Sequence, residues 1–472
     1  MALLRYLARH QWPFWLGGLF VGISEILFYY RYDMFVVVTT GFAQMYATSE
    51  HYLLGLDWVS RVYEPGIHWF IIGALIGARI VAVLEGESRA WVRYNRRMLT
   101  LAFIGGMLFS FGTRIAGGCT THHFVGGIPS MSIASWVVLL TGIPFAFLAF
   151  KIALGWGLGG YFRHQETREI AAKYRNDPLQ PQPGYDPAYR PLLDPLRILM
   201  TVFLLTFVLV PVYFALFTDE IAGGVSEIGW FDLGWLLFAG AILGFGIAKC
   251  GFGTECSVMA PESAFTKQEF YQRAGVPLST YAMFRAMLPL QGFMVAIVVF
   301  NLFILGSWLL GTGSIPNAAG DAGKYGLYWG HVLGGPFLAM GAVFMIGCEV
   351  RTYARLGLGY STALVALPGF FLGYFPYTLF KEQIDGVVFG EGLTDFITIP
   401  EWASYTLGGS ETMWNIAYSL FLIGLLVFSF AYGRRFLRTT WRNIITRNTD
   451  ELVYARPEPA PLAGQPAVVP AT

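Results

Sequence analysis

The sequence predicts an all-α fold: a polytopic helical membrane protein of two related halves whose helices are interrupted by glycine-broken loops. Three observations carry that prediction. Of 472 residues, 55% are hydrophobic and only 13% are charged, with a mean hydropathy of +0.53, whereas soluble domains carry about 25% charged residues. Apolar runs long enough for a bilayer core, which takes about 20 helical residues, recur along the whole chain. Finally, two glycine-rich segments ending on Gly-Cys repeat each other.

The elements follow in order. MALLRYLARHQWPFWLGGLF is basic, but its apolar run continues to Tyr30 with no small-residue cleavage site, so it reads as a retained first span. Further spans are expected over His68–Leu84, Ile133–Leu154, Ile198–Phe217, Phe284–Leu305 and Ile416–Tyr432. Arginines mark one face. Arg5 and Arg9 precede the first span, and Arg89, Arg93, Arg96 and Arg97 fill a short loop. Residues 163–197 are basic and proline-bearing, and Arg434, Arg435, Arg438, Arg442 and Arg447 follow the last span. The positive-inside rule puts these segments and the C-terminus in the cytoplasm. The expected division is a first membrane half at 1–162, a cytoplasmic connector at 163–197, a second half at 198–445, and a low-complexity, disordered tail at 446–472. A net charge of +1 argues against nucleic acid as a partner. No G-x-x-x-x-G-K-[ST] motif occurs, so this chain is not expected to use ATP, and no cofactor is expected.

The repeat locates the chemistry. GGMLFSFGTRIAGGC (Gly105–Cys119) aligns without gaps on GGPFLAMGAVFMIGC (Gly334–Cys348), with identities at Gly105/Gly334, Gly106/Gly335, Gly112/Gly341, Gly118/Gly347 and Cys119/Cys348. A weaker match sets Gly18 and Gly22 against Gly240 and Gly244. Small residues let helices pack closely, which accounts for Gly18 and Gly22. Close packing accounts poorly for GTRIAGGCTTHHF, whose polar groups would face lipid in an unbroken span. That segment is expected to enter as helix, break at Gly117-Gly118 and turn inside the protein. Free N–H groups at such a break favour an anion.

All four cysteines (Cys119, Cys250, Cys256 and Cys348) lie in or beside glycine-rich interruptions, and the plain spans contain none. A single buried cysteine is most simply a small hydrophobe; this distribution argues for more. No spacing indicates a disulfide, and the absence of CxxC gives zinc little support, so no metal is expected. A neutral thiol in an apolar cavity is a weak donor and a soft, polarizable contact, able to hold a sulfur-bearing anion loosely enough to pass it on. Arg114, Lys249, Arg351 and Arg355 are candidates to attract that anion. Glu255, Glu262 and Glu349 are expected to cap helices or pair with cations, Arg79 to snorkel, and His68 and His331 to sit at the interface or be hydrogen-bonded inside the bundle.

GTRIAGGCTTHHF and GCEVR resemble the G-x-R-x-x-G-G-C-T and G-C-P-x-R segments of the YeeE/YedE sulfur-transport family. The resemblance implies two inverted pseudo-symmetric halves, re-entrant helical loops entering from both faces, and a bacterial inner-membrane carrier of thiosulfate whose midline cysteines relay the ion. By position, Cys119 and Cys348 match the paired family cysteines, Arg114 and Arg351 their companions, and His123 the family histidine. Three positions depart from the pattern. His122 replaces a usual glycine and Glu349 a usual proline. The first re-entrant segment, read here as ISEILFYYRYDMFVV, has no cysteine, while its counterpart in the second half carries Cys250 and Cys256.

The expected function is therefore transport, not enzymatic, of a small sulfur- or selenium-containing anion. The pathway comprises Cys119, Cys348, Cys256, Cys250, Arg114, His123, Thr120, Gly118, Gly347, Arg351 and Lys249. Membrane lipid and a soluble cytoplasmic sulfur-carrier protein are the expected partners. The competing expectation is a membrane thiol oxidoreductase or sulfur-transfer enzyme using Cys250 and Cys256, with Lys249 lowering a thiol pKa.

Overall fold

The computed structural model describes residues 12–84, 96–153, 156, 195–250, 288–312 and 326–447. Cys256, the connector up to residue 194, and the tail beyond 447 lie outside the described residues. The described chain is a helical bundle, with seven helices long and apolar enough to cross a membrane among the described residues.

In the first half, α1 (Phe14–Tyr32) leads through a left-handed Asp33 into the short α2 (Val38–Ser49), which continues as one π-helical turn, Glu50–Leu54. There follow α3 (Trp69–Leu84), α4 (Arg96–Ile115), a second π-helical turn (Thr121–Gly127) and α5 (Ile133–Ile152). The second half comprises α6 (Pro195–Phe217), α7 (Val225–Cys250), α8 (Leu290–Leu309), α9 (Trp329–Met345), α10 (Glu349–Leu358) and α11 (Ser361–Leu379). Short α12 (Lys381–Val388) and α13 (Ile399–Leu407) precede α14 (Glu411–Leu437) and α15 (Trp441–Thr446). Two short strands, Leu327–Tyr328 and Gly392–Thr394, pair antiparallel.

The expected first re-entrant segment is displaced. ISEILFYYRYDMFVV forms the second half of α1 and its exit turn, and the short interrupted helix begins only at Val38. Apolar periodicity kept Ile23–Tyr32 helical against its charges: Arg31 bridges Asp232 at 2.7 Å, and Glu25 turns inward to accept from Val36 N at 3.0 Å.

Glycines set the helix crossings. A Cβ on Gly105 would lie 2.8 Å from Met345 N, and one on Gly334 would lie 2.7 Å from Ala116 N, so the two contacts exchange under the same 229-residue shift that aligns the repeat. As α4 runs from Gly105 through Gly112 to Ala116, its neighbours on α9 run backwards from Met345 through Leu338 to Gly334; the two helices are antiparallel. A second set obeys a 222-residue shift. Gly18 and Gly22 of α1 meet the carbonyls of Gly292 and Ala296, while Gly240 and Gly244 of α7 meet those of Phe70 and Ala74. Backbone-to-backbone approach of this kind replaces side-chain burial as the packing force in lipid. The outward side of α14 carries exposed Leu420, Phe421, Val427 and Phe428, a surface suited to hydrocarbon and not to water.

Aromatic rings tie the short helices to this frame. Phe42 of α2 stacks on Tyr353 of α10 at 4.2 Å and on Phe370 of α11 at 5.4 Å between centroids.

Candidate substrate pathway

Both Gly-Cys segments break where the repeat places them. α4 stops at Ile115, and Gly117 takes φ +72°, a left-handed conformation that glycine adopts without penalty. α9 stops at Met345, and its repeat partner Ile346 takes φ +61°. A β-branched residue there costs about 1–3 kcal/mol and persists only where its surroundings enforce it. Ile346 is fully buried, and Arg355 Nη1 donates to its carbonyl at 2.8 Å. Cys348 then caps the start of α10, with its carbonyl accepting from Thr352 N at 2.8 Å.

The two breaks meet through Glu349. Its carboxylate accepts from Thr120 Oγ1 at 3.0 Å, Thr121 Oγ1 at 3.0 Å and Thr121 N at 3.3 Å. The Cys119 sulfur accepts from His122 N at 3.4 Å, and the two threonines that follow it in the chain are the ones that hold the carboxylate. Cys119, Cys348 and Glu349 are all 0% exposed. Glu349 thus supplies the negative charge that the first break was expected to draw from an anion; it caps the neighbouring segment and forms no ion pair among the described residues.

Arg114 ends α4 and is 8% exposed. Its guanidinium donates to Thr39 Oγ1 at 2.6 Å, Tyr63 Oη at 3.0 Å, Thr113 Oγ1 at 3.0 Å and Thr40 Oγ1 at 3.4 Å, and lies 5.4 and 5.5 Å from the ring centroids of Tyr63 and Tyr374. Every one of these partners is neutral. A guanidinium stays charged, so this is a buried positive centre lined by hydroxyls and π-faces. Tyr374 in turn donates to Thr39 O at 2.8 Å.

His123 is a strut. Its Nε2 lies 3.0 Å from Ala116 O, so that nitrogen carries the proton, and Nδ1 accepts from Ser135 Oγ at 3.2 Å. The bond fastens the break to α5. Gly118 lies directly beneath His122 and His123: a Cβ there would come 2.5 Å from His122 Cδ2 and 3.2 Å from His123 Nε2. Gly347 is likewise covered by the Arg351 side chain, whose own Cβ lies 3.0 Å from where a Cβ on Gly347 would sit, and Arg351 is buried with no hydrogen-bond partner for Nη1. His331 Nδ1 accepts from Tyr328 N at 3.0 Å at the start of α9, and Arg79, an exposed residue, donates to Gly357 O at 3.3 Å.

Cys250 and Lys249 are placed elsewhere, where the end of α7 meets the start of α1. The Cys250 thiol is seated against Gly17, and Lys249 Nζ lies 5.8 Å from the ring centroid of Trp12. The structure therefore brings together Cys119, Thr120, Gly118, His123 and Arg114 with the Cys348–Arg351 segment. Thr39, Thr40, Tyr63 and Tyr374 escaped sequence reasoning; the pair Thr39-Thr40, standing alone between apolar residues, was the available signal.

Helices of membrane-crossing length around a buried guanidinium, two thiols and a carboxylate define an integral membrane protein with a polar centre at depth. Residues 1–144 match the family model described as "Sulphur transport", in agreement with the resemblance to YeeE/YedE proteins. The chain is also 34% identical over 111 residues to thiosulfate transporter TsuA of Spirochaeta thermophila; that match covers 22% of this chain and spans about a third (34%) of the relative's length. The family match includes Arg114, Cys119 and His123, whereas Cys348 and Arg351 lie beyond it and are tied to the first half by the internal repeat.

Proposed function

We propose that this chain is a membrane transporter that takes up a small sulfur-containing anion of the thiosulfate type, with related selenium species as further candidates. The observation that carries the reading is the meeting of the two Gly-Cys breaks, each with a fully buried thiol, beside the hydroxyl-lined Arg114. Arg114 attracts the anion without neutralising it. Cys119 and Cys348 then offer soft, uncharged contacts weak enough to release it. Cys250 and Lys249, at the crossing of α7 with the start of α1, are secondary contacts in this reading, and a soluble sulfur-carrier protein would dock on the basic face.

Helix directions support two inverted halves. α4 and α9 are antiparallel and exchange contacts, as two halves related by an axis in the membrane plane would. Trp15 Nε1 donates to Ile445 O at 2.8 Å, which sets the start of α1 beside the arginine-rich segment after α14, on the cytoplasmic face of an inner membrane in this reading. The enzymatic alternative needs an accessible thiolate. Cys250 is 1% exposed against Gly17, and no observation favours that alternative.

The test is uptake of labelled thiosulfate into proteoliposomes, run against a panel of sulfur and selenium anions. Cys119→Ala and Cys348→Ala should each abolish uptake while the protein stays folded. Unchanged uptake in both would remove the relay.

A further inference from the structure

We propose that Glu349 carries a proton during transport, so that each anion passing Cys119 is taken up together with a proton. The inference rests on the transport reading above. It concerns a residue that sets this chain apart, since Glu349 stands where the resembling segment has proline.

Position makes the residue unavoidable. Glu349 follows Cys348 in the chain, and its carboxyl is held by Thr120 and Thr121, the two residues that follow Cys119. An anion moving from one thiol to the other therefore passes a fully buried carboxyl. As carboxylate it repels that anion in surroundings of low dielectric; as carboxylic acid it does not, and it gains a donor.

The partners suit both states. Thr120 and Thr121 hold Glu349 by hydroxyls at 3.0 Å. A hydroxyl donates to the carboxylate, or rotates to accept from the protonated acid. A guanidinium or ammonium partner would lock the charged form, and Glu349 forms no ion pair among the described residues. Arg114 of α4 is bonded to Thr39, Thr40, Thr113 and Tyr63. Arg79 of α3 donates to Gly357 O, Arg355 of α10 to Ile346 O, and Lys249 of α7 lies over Trp12. Arg351, on the same helix, packs against Gly347. The other titratable groups that interact with the carboxyl are Cys119 from the first break, Tyr353 of α10 and Tyr374 of α11, the last of which donates to the carbonyl of Thr39.

The step balances simply. A proton from external water binds a Glu349 oxygen and the anion crosses. The proton then leaves to internal water, and the carboxylate re-forms its bonds to Thr120 and Thr121.

The experiment uses the full chain in proteoliposomes containing a pH-sensitive dye, with voltage clamped by potassium and valinomycin and thiosulfate added outside. Wild type should acidify the lumen as thiosulfate enters, and its uptake should accelerate as the external medium is acidified. Glu349→Gln keeps an acceptor for the threonines but cannot release a proton; its uptake should proceed without acidification and lose its pH dependence. Glu349→Asp should restore coupling. Thiosulfate uptake by wild type without acidification overturns the proposal alone, and so does a folded Glu349→Gln protein that still acidifies the lumen. If the Gln variant does not fold, the wild-type proton measurement decides by itself. Failure of wild type to take up thiosulfate overturns the transport reading and this one with it.

Discussion

Arg114 Nη2 donates to Thr39 Oγ1 at 2.6 Å, joining the end of α4 to the start of α2, and the guanidinium has no carboxylate partner among the described residues. Arginine and lysine are not equivalent in such a site. Arg114→Lys keeps the charge but cannot span Thr39, Thr40 and Tyr63 with one compact ammonium. Losing one or two hydrogen bonds of about 1 kcal/mol each implies about a tenfold fall in thiosulfate uptake. The loss should appear mainly as a raised KM, read from initial rates across substrate concentration; an unchanged KM would dissociate Arg114 from anion capture.

Glycine at the helix crossing should be far less replaceable than glycine facing outward. A Cβ on Gly105 would meet Gly341 O at 2.7 Å, so Gly105→Ala forces α4 and α9 apart at a cost of about 1–3 kcal/mol. A Cβ on Gly306 of α8 would meet nothing within 4 Å, and Gly306→Ala should leave the thermal midpoint in detergent unchanged or raised. Equal effects in the two variants would contradict the packing described.

Ser135→Ala should uncover the strut at His123. The variant leaves buried Nδ1 without its donor, a loss of about 1–3 kcal/mol in stability. The lowered thermal midpoint should be accompanied by faster alkylation of Cys119, because the same histidine steadies the segment that bears it.

Cys250→Ala should slow uptake without abolishing it. Its sulfur sits against Gly17 at the α1–α7 crossing, away from the Glu349-linked breaks. Complete loss of transport in a folded Cys250→Ala protein would move the critical thiol from Cys119 to that crossing.

Much of this was legible in the chain. The pair Gly117-Gly118 marked the first break, where Gly117 takes φ +72°, whereas the second falls at Ile346, which no glycine pair marks. The match of Gly18 and Gly22 to Gly240 and Gly244 likewise anticipated a shared crossing register. What stayed hidden was long-range. Thr39 and Tyr63 lie 75 and 51 positions from Arg114, and nothing in local spacing links them. Ile23–Val37 misled because the family resemblance put the first re-entrant segment there, whereas Glu25 and Arg31 find partners that let the helix run on to Tyr32. Glu349 was read as a cap or a cation partner; it caps, but across the bundle to the other break.

The seam of bare backbone between α4 and α9 has a mechanical consequence. Interlocking side chains act like gear teeth and resist sliding, whereas a line of glycines set close against the backbone of the neighbouring helix gives a smoother bearing. Alternation between outward- and inward-facing shapes would then proceed by rolling one half over the other along that line, with the two thiol-bearing tips riding closest to the pivot and moving least.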